Sequence, residues 1–181
     1  MTARRVLLVR HCEVDSRYRG VCYGRSDVGL SESGYANSLV LARRLAQFPV
    51  TEIWHSGLTR TRVVADALAA LVLVPVRESR LLRERDFGEW ELRTWDDLYR
   101  ETGEAMLGSL REPATWRPPG GETTFECRDR VVTWYNSIPA EGVIVAVTHG
   151  GPIAALQGSL GDREVAAWPS LVPPTGTVLE L

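Results

Sequence analysis

Val6-Leu7-Leu8-Val9-Arg10-His11-Cys12-Glu13, close to the start of the chain, is the stretch whose reading decides the fold. Its four successive aliphatic residues, two of them β-branched valines, read as a short strand buried on both faces. The run stops at an Arg-His pair, and turn-rich sequence follows. A cation and a titratable imidazole are poor core material at the exit of a buried strand. They are well placed for a site, because ligands of open α/β sheets bind beyond the carboxyl ends of the strands.

The same grammar repeats outward from there. Residues 51–55 read as a second strand leading into a helix over about 58–71, whose Val63, Val64, Ala67, Leu68 and Leu71 form an apolar stripe. Ser31 is placed as the N-cap of an earlier helix that Pro49 stops. Residues 73–76 are expected as a third strand, and 143–148 as the clearest buried one, with a helix over about 152–160 behind it. One or two helices are expected within 94–110, another over 122–138, and a last edge strand over 177–181. Such alternation predicts an α/β protein, a three-layer α/β/α sandwich around a mostly parallel sheet. Residues 1–181 are read as one domain, with a helical cap inserted at about 77–121.

Composition narrows the functional classes. The net charge of −2 leaves no electrostatic footprint for nucleic acid or an anionic membrane surface. All 21 basic residues are arginine, which excludes a lysine Schiff base and a P-loop lysine. Cys12, Cys22 and Cys127 show no C-x-x-C spacing, which argues against a disulfide framework or a structural zinc site. With no signal-peptide pattern and no apolar run of bilayer length, a cytoplasmic location is expected.

Two of the expected strands end in a histidine, His11 and His149, and the strand over 51–55 places Arg60 in the first turn of the next helix. Parallel neighbours would bring Arg10, His11, Arg60 and His149 into one crevice, with the amides that follow His149 aimed the same way. A small, rigid, cationic pocket of this kind suits a phosphoryl dianion.

These residues resemble the histidine phosphatase superfamily, also called phosphoglycerate mutase-like. Its Arg-His-Gly signature occurs as Arg10-His11-Cys12, its Ser-x-Leu-x-Arg element as Ser56-Gly57-Leu58-Thr59-Arg60, and its acid motif lies between Leu82 and Glu91. Its Pro-Gly-Gly-Glu loop is Pro119-Gly120-Gly121-Glu122 and its late Thr-His-Gly is Thr148-His149-Gly150. Five motifs in the family's order span nearly the whole chain. The resemblance implies a phosphomonoesterase that needs no metal or cofactor and acts on a small-molecule phosphate ester. His11 would attack phosphorus and become a phosphohistidine. Arg10, Arg60 and His149 would hold the equatorial oxygens, and Glu84 would be the general acid and then base.

Two positions depart from the superfamily pattern. Cys12 stands where glycine is usual, and Arg17 where many members have asparagine. The loop Gly20–Leu30 resembles that of α-ribazole phosphatases, with Ser26 for threonine and Gly29 for proline. That implies α-ribazole 5′-phosphate as substrate. Arg17, Tyr23, Gly24 and Glu122 are further candidates for substrate contact, although Glu122 reads equally as a helix-dipole partner and residues 22–25 equally as an exposed turn. His55 reads as structural, and the six tryptophans as core or lid residues. A phosphoglycerate mutase, a broad-specificity sugar or nucleotide phosphatase and a non-catalytic phospho-ligand module remain the rival readings, and a homodimer stays open.

Overall fold

The computed structural model describes residues 3–181. Its strands are β1 (Arg5–Arg10), β2 (Val21–Cys22), β3 (Val50–His55), β4 (Val76–Glu78), β5 (Arg93–Thr94), β6 (Val143–Thr148) and β7 (Val178–Glu180). The helices are α1 (Glu32–Leu45), α2 (Thr59–Val72), α3 (Trp95–Thr102), α4 (Gly108–Arg111), α5 (Thr124–Ser137) and α6 (Gly150–Leu160). The main sheet has the order β4-β3-β6-β1-β7. All its pairs are parallel except the edge pair of β1 with β7, while β2 and β5 form a separate two-stranded ribbon.

Strand periodicity divides the core into two layers. Leu7 and Val9 of β1, with Val143, Val145 and Val147 of β6, pack under Leu41, Leu45, Val64 and Leu68 of α1 and α2. The alternate residues Val6, Leu8, Ile144 and Ala146 pack against Val131, Trp134, Ile153 and Leu156 of α5 and α6. Strands apolar on both faces therefore lie in the middle of the expected α/β/α sandwich, and each buried leucine or isoleucine contributes on the order of 1.5–3 kcal/mol.

The expected strand over 73–76 is displaced. The apolar run Leu71-Val72-Leu73-Val74 suits helix or strand equally. Here α2 carries on to Val72 and ends at Leu73 in the left-handed region, so that β4 begins only at Val76. Between β4 and α5 the chain runs through single 3-10 turns, β5, α3 and α4, and packs a small third cluster of Cys22, Trp90 and Leu98 with Phe87, Met106 and Trp116. Among the described residues no helix is long and apolar enough to cross a membrane.

Candidate active site

β1 and β6 are in register from Arg5 opposite Val143 to Arg10 opposite Thr148, so the residues that follow, His11 and His149, leave the sheet side by side. Their ring centroids are 5.2 Å apart. His11 is 1% exposed and its Nδ1 lies 2.7 Å from the Cys12 carbonyl oxygen. A carbonyl only accepts, so Nδ1 carries the proton and Nε2 keeps its lone pair. Burial, reinforced by the Arg60 and Arg10 cations, lowers the His11 pKa to about 3, and the imidazole is neutral at physiological pH. Cys12 adopts no left-handed backbone, so this family glycine position demands no positive φ here.

Arg60, at the start of α2, is fully buried. It donates from Nη2 to the Gly24 carbonyl at 2.6 Å, from Nη1 to the Ser26 carbonyl at 2.8 Å and from Nε to His149 Nδ1 at 3.3 Å. A guanidinium is always a donor, so His149 Nδ1 accepts and its proton sits on Nε2, which donates to Ser56 Oγ at 2.8 Å. Ser56 passes the chain to Thr61 Oγ1, which ends it on the Leu58 carbonyl. Both His149 nitrogens thus have protein partners, and burial beside Arg60 holds the ring well below its ordinary pKa. Arg10 donates from Nη1 to the Pro173 carbonyl, while its Nε is buried with no acceptor among the described residues.

Glu84 does not sit in the solvated salt-bridge cluster that its neighbours in sequence suggest. Its Oε1 accepts from the Arg85 amide at 2.8 Å, and its two oxygens accept from the Gly151 amide at 3.1 and 3.3 Å. The Gly151 amide, expected to face a phosphate, is therefore on the carboxylate instead. A Cβ at Gly151 would come within 2.3 Å of Glu84 Oε1, so only glycine allows this approach.

The remaining candidates separate. Tyr23 lies edge-on to His11 at 6.4 Å, with the Arg60 guanidinium 5.2 Å from its ring centre. Gly24 serves through its carbonyl, and a side chain there would strike Glu91. Arg17 is turned to solvent, 71% exposed, and pairs with Asp15 through Nε and Nη2. Glu122, read as a substrate contact or as a helix-dipole partner, does not cap α5, whose N-cap is Thr123 in a capping box with Glu126. Its carboxylate is closed by Arg25, by Arg130 and by the Asp86 amide.

That knot was not visible in the sequence. Arg130 of α5 donates to the Leu81 and Glu84 carbonyls, and Arg25 donates to the Glu84 carbonyl and to Asp86. Glu91 accepts from the amides of Arg25, Ser26 and Phe87. Asp27 binds the first amide of α2, where Leu58 gives no side-chain cap. No spacing rule marks these contacts, since all but the Arg130–Glu122 and Phe87–Glu91 pairs join positions at least 30 residues apart.

Arg10, Tyr23, Gly24, Glu84 and Gly151 open onto one cavity of about 480 Å³. Among the described residues no group of three His, Cys, Asp or Glu side chains is arranged to hold a metal ion.

A model of the histidine phosphatase superfamily (branch 1) matches residues 6–181. The chain belongs to that superfamily. This histidine phosphatase is 32% identical over 182 residues to the glucosyl-3-phosphoglycerate phosphatase of Mycobacterium tuberculosis, covering 94% of the chain and 81% of the relative. A 2,3-bisphosphoglycerate-dependent phosphoglycerate mutase of Rhodopseudomonas palustris is 29% identical, with 86% and 80% covered. The solved structure of a mycobacterial glucosyl-3-phosphoglycerate phosphatase superposes with a TM-score of 0.85 at 30% identity, covering 98% of the histidine phosphatase and 89% of that chain. None of these three relatives is named as an α-ribazole phosphatase.

Proposed function

We propose that the protein is a phosphomonoesterase that works through a phosphohistidine on His11. One observation carries this reading. The buried, neutral His11 is fixed by the Cys12 carbonyl in the tautomer whose Nε2 is nucleophilic, between two arginines. Nε2 attacks phosphorus, the N–P bond forms and the ester P–O bond breaks, while Glu84 delivers a proton to the leaving oxygen. Water then attacks phosphorus, Glu84 takes a proton from it, and the N–P bond breaks to release inorganic phosphate. Arg10 and Arg60 neutralise the equatorial oxygens, and His149 holds Arg60 in place through Nδ1. The relatives support the class, and one named phosphatase supports hydrolysis over mutase transfer. For the substrate, the loop Gly20–Leu30 supports α-ribazole 5′-phosphate and the phosphatase relatives support glucosyl-3-phosphoglycerate.

The test is to trap the intermediate from a ³²P-labelled aryl phosphate in the presence of EDTA. Alkali-stable, acid-labile label on the peptide containing His11, absent from His11→Ala, is the expected result. Undiminished turnover by His11→Ala would overturn the proposal. A second expectation concerns Gly151→Ala. Alanine in a helix is ordinarily worth about 1 kcal/mol over glycine. Here thermal melting should show no gain, because Glu84 must move, and kcat should fall roughly tenfold or more with KM little changed. A stabilised variant with full kcat would show that the Gly151 amide does not position the acid.

A further inference from the structure

The cavity beside Glu84 is walled largely by aromatic and other apolar side chains. Phe87, Trp90, Trp95, Met106, Trp116 and Trp168 line it, contributed by the segment between β4 and α5 and by the C-terminal stretch. At about 480 Å³ it lies within the roughly 300–1,000 Å³ range of small-molecule pockets. It begins at Arg10 and Glu84, where the leaving oxygen would stand in the mechanism proposed above, so its contents would be the leaving group.

Four of the polar side chains in its wall, Arg85, Ser109, Thr124 and Cys127, already have partners inside the protein. Arg85 donates from Nε and Nη2 to the Glu122 carbonyl, and its guanidinium lies 5.4 Å from the Phe87 ring centre and 6.0 Å from that of Trp116. Thr124 Oγ1 donates to the Ser109 carbonyl at 2.6 Å, and Ser109 Oγ to the Met106 carbonyl at 3.1 Å. Cys127 Sγ receives Arg130 Nη2. A polyhydroxylated alcohol entering this chamber would lose its water and meet few groups able to replace it, at a cost of about 1–3 kcal/mol per unpaired hydroxyl. A flat apolar alcohol would instead gain area burial and edge or face contacts with the indoles.

We infer that the chamber selects phosphomonoesters of bulky, largely apolar, aromatic alcohols and discriminates against sugar and polyol phosphates. This rests on the phosphomonoesterase reading, and it names a leaving-group class different from that of the glucosyl-phosphoglycerate phosphatases.

Binding to His11→Ala, measured by calorimetry, separates the chamber from the chemistry. 1-Naphthyl phosphate, glucose 6-phosphate and inorganic phosphate are the three probes, the last reading the phosphate pocket alone. Naphthyl phosphate should bind at least about tenfold tighter than inorganic phosphate, and glucose 6-phosphate no tighter than inorganic phosphate. Trp95, 37% exposed, is the chamber residue least needed by the core. Trp95→Ala, or Trp95→Leu if alanine impairs folding, should reduce the naphthyl-to-phosphate affinity ratio severalfold. Equal or tighter binding of the sugar phosphate overturns the inference, and so does a ratio that ignores both Trp95 variants. If His11 labels normally but selectivity is absent, only this inference falls. If selectivity holds and no label forms, only the phosphohistidine reading falls. Glu84→Gln provides a second non-turnover background for the same titrations.

Discussion

Arg60→Ala is expected to lower stability more than any other single change in the phosphate pocket, and turnover with it. Its loss leaves the Gly24 and Ser26 carbonyls and His149 Nδ1 without donors. Each buried acceptor left unpaired costs about 1–3 kcal/mol, so a loss on the order of 3 kcal/mol or more follows, before counting the cavity. For a chain of this size that corresponds to a melting point roughly 10 °C lower. Removing one preorganised donor to a developing oxyanion costs about 10²–10³ in kcat. Arg60→Lys should recover little of either, because one ammonium cannot reach three separated acceptors and a phosphoryl group with the geometry of a planar fork. Thermal melts and steady-state kinetics of the two variants decide the matter. A lysine variant close to wild type in both would show that Arg60 is a generic cation rather than the scaffold of the pocket.

Acid should destabilise the fold through the same pocket. The folded pKa of His11, about 3, lies below the ordinary value of 6.5. The unfolded chain therefore binds more protons between those values, and stability rises with pH. The contribution is complete above about pH 6.5 and is lost as pH falls toward 3. Between pH 7 and pH 4.5 the His11 share is on the order of 2–3 kcal/mol. His149, also depressed and for the same first cause, burial, acts in the same direction. Urea midpoints at the two pH values, compared between wild type and His11→Gln, isolate the effect. Carboxylate titration is common to both proteins, so the difference in slope belongs to His11. Identical pH dependence in the two would mean that the imidazole is not buried neutral. The same depression keeps the free nucleophile unprotonated well into the acid range, so any acid limb of the activity would come from another group.

What could be read in the sequence follows from range. β1 and β6 were legible because each is a continuous apolar run closed by a histidine, and a strand buried on both faces has no other composition. Ser31 was legible as a cap because its oxygen acts on an amide three residues on. The pairing of His11 with His149 followed once the two strands were taken as parallel neighbours. By contrast, the strand expected over 73–76 lies at Val76–Glu78, because Leu73 closes α2 in a left-handed turn that local apolarity does not announce. Glu84 was named through the motif, but its contact with the Gly151 amide depends on how a loop and a helix start meet in space. The roles of Arg25, Arg130 and Glu91 stayed hidden for the same reason. Their partners are loop carbonyls, amides and carboxylates, which carry no signature at the donor's own position.

The knot of Arg25, Arg130 and Glu122 has an evolutionary implication. Arg10, His11, Arg60 and His149 hang from strand ends and from the first turn of a helix of the central layers, whereas the indoles of the neighbouring chamber hang from short helical turns and loops outside the sheet. Glu84 stands on the seam, with its carbonyl gripped by Arg25 and Arg130. A lineage can therefore exchange the alcohol it accepts by rewriting Trp95, Met106 or Trp116 while the strand-end residues and the stitched position of Glu84 are inherited unchanged. Such a scaffold is in keeping with relatives near 30% identity that carry different names, a glucosyl-3-phosphoglycerate phosphatase and a phosphoglycerate mutase.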